Sequence, residues 1–226
     1  IELIDADSAD DHGRRARARE RYGYASYLAG DTATSRRLLE EAVDLLDGTS
    51  PSTDEARVLT GLAGNLMLAG RCAESIPFAE RAIESARAVG AQVIESRALN
   101  ILGVDHANLG SIATGIDLLR QSVAIALIVD DPIEVPRSYA NLGSTLEFGG
   151  FVEEALETSM AGAESTGRYG GELSFRWLLE TNAALMLIEL ARYPEAGFLL
   201  ERNVQHVLPG VSTIHLYSTY AHLLMR

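Results

Sequence analysis

One spacing recurs along most of this 226-residue chain. A small residue is followed seven positions later by a glycine, and another small residue follows five positions after that glycine. The middle positions of the copies are Gly30, Gly70, Gly110, Gly150 and Ala191, so the period is about 40 residues throughout. A fixed period of this length indicates a repeat architecture, in which each unit packs on its sequence neighbours.

Each copy has the pattern of two helices joined by a short turn. Apolar residues recur at helical spacing before the turn, as at Leu142 and Leu146, and an amphipathic segment follows it, as at 35–46. Glycine at the turn ends a helix because it adopts the left-handed conformation without steric cost. An interior glycine such as Gly143 costs about 1 kcal/mol of helix stability, and we expect close packing of the two helices to offset that cost.

This pattern divides the chain into five hairpin units between two terminal segments. Residues 1–13 form an acidic lead-in, and residues 211–226 form either a capping helix or the first half of a truncated sixth unit. The hairpins together occupy residues 14–210, and their approximate ranges are 14–50, 54–90, 94–130, 134–170 and 174–210.

The stretch YANLGSTLEFGGFVEEALETSMAGA resembles the tetratricopeptide repeat (TPR) motif. Gly143 corresponds to the small residue of its first helix, Gly150 to its turn, and Ala155 and Gly162 to the small residues of its second helix. The bulky aromatic residue of the first helix is mostly missing, and the period is longer than is usual for this family. The resemblance implies an all-α fold, a right-handed superhelical solenoid of about five TPR-like hairpins with a C-terminal helix.

Two further stretches, GRCAESIPFAERAIESARAVGA and RYPEAGFLLERNV, resemble the helical-repeat region of large bacterial LuxR-type (MalT-like) ATPase regulators. Because the chain starts at Ile1, we expect it to be a segment of a longer polypeptide. The resemblance implies a flanking ATPase module and a C-terminal helix-turn-helix, with the repeats acting as the sensor and relay segment of a transcriptional regulator.

Composition restricts the partners of this segment. The net charge of −13 argues against direct nucleic-acid contact, which needs a basic surface. No run approaches 18 consecutive apolar residues, so we expect no membrane-spanning helix. Cys72 is the only cysteine, which excludes an internal disulfide and favours a cytoplasmic location.

The sequence carries no catalytic motif. It has no phosphate-binding glycine loop, no GxSxG elbow and no CxxC pair. His215 and His222 stand seven positions apart, but no third ligand accompanies them, so we expect no metal site. The prediction is a protein that is not an enzyme and that uses no cofactor.

Arginine recurs at one position of the repeat. All 19 basic residues are arginines. If the residues of each unit are numbered so that the turn glycine is position 15, then position 2 of the first helix holds Arg17, Arg57, Arg97 and Arg137. The fifth unit breaks the series with Leu178. Packing does not require arginine there, and each guanidinium can bind a carboxylate through two hydrogen bonds. The arginines therefore either bind a ligand or pair with neighbouring acids such as Glu40 and Glu80, and the sequence leaves both interpretations open.

The TPR resemblance implies that the first helices line a concave groove where ligands bind. Glu20 falls at one groove-facing position. The other candidate ligand-binding residues beside the arginine series are Tyr24, Tyr27, Met67, Asn100, Asn108, Asn141, Phe148 and Asn182. Such a surface suits an extended or helical protein segment that carries carboxylates.

The predicted function is therefore a non-catalytic domain that binds a protein or peptide. One alternative is a structural or oligomerisation spacer, for instance in a homodimer, with the arginines paired internally. The other is the regulatory arm of a nucleotide cyclase or kinase, whose catalytic residues would lie outside this segment.

Overall fold

The computed structural model describes residues 11–48, 50–167, 173–205 and 211–225, and within these ranges the chain contains helices and no strands. The all-α class predicted from the sequence is confirmed. Residues 1–10 of the predicted acidic lead-in lie outside the described residues. The helices are α1 (His12–Leu28), α2 (Thr32–Leu46), α3 (Thr53–Leu68), α4 (Cys72–Ala88), α5 (Gln92–Asn108), α6 (Ile112–Val129), α7 (Glu134–Phe148), α8 (Val152–Thr166), α9 (Leu173–Glu189), α10 (Tyr193–Val204) and α11 (Val211–Leu224).

The chain forms two compact units, residues 1–125 and 126–226, with the boundary inside α6. In the first unit α1 packs on α2 and α3 packs on α4, and the first helices α1, α3 and α5 also pack side by side. In the second unit α7 packs on α8, while α9 contacts α7, α8, α10 and α11. Each unit is therefore a stack of helix hairpins, as the repeat predicts.

Short polar side chains start the early helices. Asp11 and Asp31 accept hydrogen bonds from the backbone N–H groups three positions ahead, at 2.9 and 3.0 Å. Ser52 caps α3 in the same way at 3.1 Å. These oxygens satisfy N–H groups that have no partner within the helix.

The glycines at the hairpin turns end the first helices. Gly70 has φ of 72°, and the N–H of Arg71 donates to the carbonyl of Leu66 at 2.9 Å. This bond closes the last turn of α3, and the chain then reverses direction to begin α4. Gly30, Gly110 and Gly150 also have positive φ, which explains why the period of the sequence is marked by glycine.

Ala191 occupies the same turn position in the fifth hairpin and also has a left-handed backbone, with φ of 56°. Because a Cβ atom is strained in this conformation, we expect Ala191→Gly to stabilise the chain by about 0.5–1 kcal/mol. The measurement is thermal or urea unfolding followed by circular dichroism. Ala161→Gly, on the exposed side of α8, is the matched control and should destabilise by about 1 kcal/mol. A loss of stability in Ala191→Gly would show that the turn is not strained.

Two glycines form a close contact between helices in the first unit. A Cβ atom on Gly115 would lie 2.6 Å from the carbonyl oxygen of Gly103, and one on Gly103 would lie 2.9 Å from the carbonyl oxygen of Gly115. In the second unit, a Cβ atom on Gly143 would lie 2.7 Å from Oγ of Ser159. The interior glycines thus let the two helices of a hairpin approach closely, as the sequence predicts.

Helix α6 is long and apolar enough, by length and composition alone, to cross a membrane. Core helices of proteins pass the same test, and α6, of which a third is buried, packs on α5 along its buried side. Leu119 and Ser122 are fully buried, and Oγ of Ser122 donates to the carbonyl of Ser96 on α5 at 2.8 Å. Asp117 and Arg120 pair on its exposed side at 3.4 Å. We therefore assign α6 to the repeat as an amphipathic helix with one buried side.

Candidate functional site

The first helices of the first unit form one continuous surface. Because α3 packs beside both α1 and α5, side chains at equivalent positions of the repeat lie on neighbouring helices. We call this surface, which carries Arg17, Arg57 and Arg97, the arginine face. The residues on it come from three successive hairpins. Residues that are 40 positions apart in the sequence therefore lie side by side on neighbouring helices.

The three arginines are held on the arginine face with their side chains accessible. Arg57 and Arg97 are exposed. Nε of Arg17 lies 3.4 Å from a carboxylate oxygen of Asp54, which stands in the first turn of α3. This pair bridges two neighbouring first helices, and nothing in the repeat pattern pointed to Asp54 as its acidic member.

Glu20 places a carboxyl group among these arginines. It is half-buried, and burial raises its pKa, while Arg57, Arg21 and Arg97 act in the opposite direction. Asp54 adds to the upward shift of the pKa. The arginine face of the first unit therefore already contains one carboxyl group under the influence of guanidinium groups from α3 and α5.

The remaining candidate residues of the first unit differ in accessibility. Tyr24 is 60% exposed and Tyr27 is half-buried. Met67 packs against the core cluster around Leu59 and Leu99, so only part of it is available to a ligand. Asn100 is buried, with 2% exposure. A peptide on this surface would meet chiefly the tyrosines, the arginines and the exposed part of Met67.

Asn108 lies at the end of α5, away from the arginine series. It is exposed as a whole, but its Nδ2 lies 3.6 Å from Sγ of Cys72 at the start of α4. Part of its hydrogen-bonding capacity is thus used within the hairpin stack.

In the second unit, Arg137 pairs with a buried acid. Its Nη1 lies 2.8 Å from Oε1 of Glu134, a residue with 1% exposure one turn earlier on α7. A buried carboxylate needs a partner, so Arg137 has the internal pairing that the sequence left open as an alternative, with Glu134 as an acid that the sequence had not identified. Asn141 is half-buried and Phe148 is 70% exposed.

Asn182 is covered by the C-terminal helix. Its Oδ1 lies 2.9 Å from Nε2 of His215 on α11, and burial lowers the pKa of His215. A neutral imidazole is therefore favoured at this contact. The sequence left open whether residues 211–226 cap the last hairpin or begin a truncated sixth unit, and this contact is compatible with both. The sequence did not identify Asn182 as the residue contacted.

Metal chemistry finds no support in the described part of the chain, where no group of three His, Cys, Asp or Glu side chains is suitably placed to hold an ion. What the arginine face offers is hydrogen-bond donors, positive charge and aromatic surface. These features are suited to binding.

No protein-family model matches the sequence, and no curated protein matches it either. Solved structures do share its fold. BtubC (BKLC) from P. vanneervenii gives a TM-score of 0.75 at 15% identity, covering 92% of this chain and 90% of that chain. A Rap protein complexed with Competence and Sporulation Factor gives 0.74 at 11% identity, covering 90% of this chain and 55% of that chain. A thermophilic TPR protein in Thermus thermophilus gives 0.61 at 16% identity, covering 93% of this chain and 100% of that chain.

These likenesses confirm the predicted TPR-like helical-repeat fold. At identities this low they show the fold alone, so the predicted place within a LuxR-type regulator stays a prediction. Successive repeats of such a fold present extended surfaces, and the arginine face is one extended surface of the first unit.

Proposed function

We propose that this chain is a non-catalytic binding domain whose arginine face binds a protein segment through carboxylate side chains. The observation that carries the proposal is the position of Glu20. Arg57 and Arg97 act on this half-buried carboxyl group and lower its pKa against the larger upward effect of burial. This supports the proposal that the same guanidinium groups would attract a ligand's carboxylate. The similarity to a Rap protein solved with Competence and Sporulation Factor supports a binding role.

The spacing of the helices suggests the form of the ligand. Neighbouring packed helices have axes about 8–10 Å apart. In a polyproline II segment, which has about 3 residues per turn and rises about 3.1 Å per residue, side chains at every third position lie on one face about 9 Å apart. We therefore propose a ligand with acidic side chains at every third position, so that each can meet one of Arg17, Arg57 and Arg97.

Arg137 is left out of this binding set because it pairs with buried Glu134. Exchanging it would disturb the second unit and confuse a loss of binding with a loss of stability. Arg17, Arg57 and Arg97 are half-exposed or exposed, so their exchange should leave the fold intact. If instead the arginines serve a structural spacer, the same exchange should lower the melting temperature.

The test is selection of binders from a random peptide library by the wild-type chain and by the variant Arg17→Gln/Arg57→Gln/Arg97→Gln. We expect the wild type to enrich peptides with Asp or Glu at every third position, and the variant to lose that enrichment because neutral amides do not attract carboxylates.

The matched control is Arg37→Gln/Arg71→Gln/Arg120→Gln. These three arginines each pair with an acid close by in the chain, namely Glu41, Glu74 and Asp117. The control has the same net charge as the variant and should keep the enrichment. Equal loss in both triple variants would mean that net charge, and not the arginine face, selects the peptides.

We also propose the larger setting that the sequence resemblance suggests. In it, occupancy of the arginine face would be relayed to a flanking ATPase module and helix-turn-helix of a bacterial regulator. The sequence of the full-length gene product tests this directly. Flanking domains of a cyclase or kinase would favour the alternative of a regulatory arm.

A further inference from the structure

Asp105 on α5 is a fully buried acid without a hydrogen-bond donor. Its exposure is 0%, and neither carboxyl oxygen has a hydrogen-bond partner among the described residues. A buried carboxylate in this state is unfavourable, whereas a protonated carboxyl group is a neutral group that can donate. The question is what Asp105 would donate to.

The preceding repeat contains an equivalent pair of residues. Asn65 lies 40 positions before Asp105, and Ser35 lies 40 positions before Ser75. Nδ2 of Asn65 donates to Oγ of Ser35 at 3.2 Å, in a buried hydrogen bond between the two helices. The equivalent pair in the next repeat is Asp105 and Ser75. An aspartic acid has the shape of asparagine, and only its protonated form retains a donor at the matching end.

The hydroxyl of Ser75 is already used as a donor. It donates to the carbonyl of Ala63 at 2.9 Å, and a hydroxyl has a single proton but two acceptor lone pairs. Ser75 can therefore only accept from Asp105, as Ser35 accepts from Asn65. The remaining neighbour, the Cys72 thiol, is a weak donor.

We propose that Asp105 is a neutral carboxylic acid that donates its proton to Ser75, and that its ionisation is a pH-sensitive weak point of the α4–α5 contact. Among the described ionisable groups, those that act on this carboxyl are the Cys72 thiol of α4 and the His106 imidazole of α5; none on α3 or α6 does so. The site is independent of the arginine face, so its test is separate from that of peptide binding.

The electrostatics agree with this assignment. Burial is the largest influence on the pKa of Asp105 and raises it above its usual value, while Cys72 and His106 lower it only in part. Burial, together with Asp105, also raises the pKa of the Cys72 thiol. The folded chain therefore holds the proton of Asp105 more tightly than the unfolded chain does. As a result, stability is greatest below the ordinary aspartate pKa of about 3.9 and falls as pH rises through the value in the folded state.

The experiment compares unfolding of the wild type and Asp105→Asn between about pH 4 and pH 8. Between the two pKa values, the wild-type folding equilibrium constant should lose up to about tenfold per pH unit from this group. Asp105→Asn removes that loss, so the variant should match the wild type near pH 4 and exceed its melting temperature by a margin that grows with pH. A constant or absent margin would overturn the proposal.

The reciprocal variant Asn65→Asp places an acid in the preceding repeat, opposite Ser35. It should show a new loss of stability as pH rises and recover towards the wild type near pH 4. A second measurement does not depend on either variant folding: the side-chain carboxyl carbon of Asp105, followed by NMR in a ¹³C-aspartate-labelled chain and assigned through the backbone. We expect this carboxyl to lose its proton at a higher pH than an ordinary aspartate, whose pKa is about 3.9, and a transition at or below that value would contradict the proposal.

Discussion

Exchanging Arg176 and Arg202 together for methionine is expected to destabilise the chain by about 3–5 kcal/mol. Both guanidinium groups contact the Glu180 carboxylate of α9, Arg176 at 2.9 Å and Arg202 at 2.7 Å. Glu180 has only 3% exposure, so the variant would leave a buried charge without compensation. Urea unfolding followed by circular dichroism measures the change in the free energy of unfolding.

The asymmetry of this cluster makes the prediction specific. The arginine side chains are 42% and 38% exposed, so water can solvate them when Glu180 is removed, but water cannot reach Glu180 when the arginines are removed. Adding Glu180→Met to the double variant should therefore restore most of the lost stability, because apolar side chains replace a buried ion pair at little cost.

The control for charge is Arg71→Met/Arg192→Met. These arginines pair with exposed Glu74 and Glu195 at the starts of α4 and α10, and exposed pairs contribute little. Their exchange should leave the unfolding midpoint nearly unchanged. If it destabilised the chain as much as the Arg176 and Arg202 exchange does, burial of Glu180 would not be the cause.

Replacing Gly115 by alanine is expected to destabilise the chain by about 1–3 kcal/mol or more, although alanine favours the helix by about 1 kcal/mol. The new Cβ atom would lie 2.6 Å from the carbonyl oxygen of Gly103 and 3.0 Å from the backbone nitrogen of Ala107. Both are backbone atoms, so relief requires a shift of α5 relative to α6 and cannot come from a side-chain rotation. Thermal unfolding of the variant and the wild type measures the effect.

Gly64→Ala is the matched control, since Gly64 is also a glycine inside a helix. The nearest atom to its new Cβ would be Cδ1 of Ile101 at 3.4 Å, an ordinary contact. Without a clash, only the gain in helix propensity remains, and stability should rise by about 0.5–1 kcal/mol. The two substitutions are chemically identical, but they should change the stability of the chain in opposite directions. Destabilisation by both would place the cause in the helices themselves and not in the contact between them.

The fold was predictable because its determinants recur in the sequence. Turn glycines such as Gly70 are required by a left-handed backbone, and interior glycines such as Gly103 are required by a close helix contact. Both requirements repeat once per hairpin, so the fixed period of the sequence exposes them without any knowledge of the structure. Even Ala191, where glycine is missing, keeps the backbone conformation of the series.

The candidate site was predictable only in part, because a repeat places a residue on a face but does not choose its partner. Arg137 shares its repeat position with Arg57 and Arg97, yet its own helix supplies the buried Glu134 that it pairs with. Asn182 contacts His215, which lies far along the chain on a helix outside the five-hairpin pattern. Such pairings depend on tertiary packing, so they become visible only when the helices are assembled.

The proposed pairing of Asp105 with Ser75 was predictable from the sequence only in part. The equivalence of Asn65 and Asp105 follows from the period of the sequence, but burial and the bond from Ser75 to Ala63 do not. The chain has 32 acidic residues, and the sequence alone does not show which of them is buried. The structure singles it out because both of its oxygens are enclosed without a donor among the described residues.

The central claim, that the arginine face recognises carboxylates, is tested most directly by the affinity of a short labelled peptide with glutamate at every third position. Fluorescence anisotropy would compare it with the same peptide carrying glutamine, on the wild type and on Arg17→Gln/Arg57→Gln/Arg97→Gln. Since hydrogen bonds to charged groups contribute about 1.5–3 kcal/mol each, we expect the wild type to prefer the glutamate peptide by about tenfold or more and the variant to bind both peptides equally. An undiminished preference in the variant, or no preference in the wild type, would contradict the account.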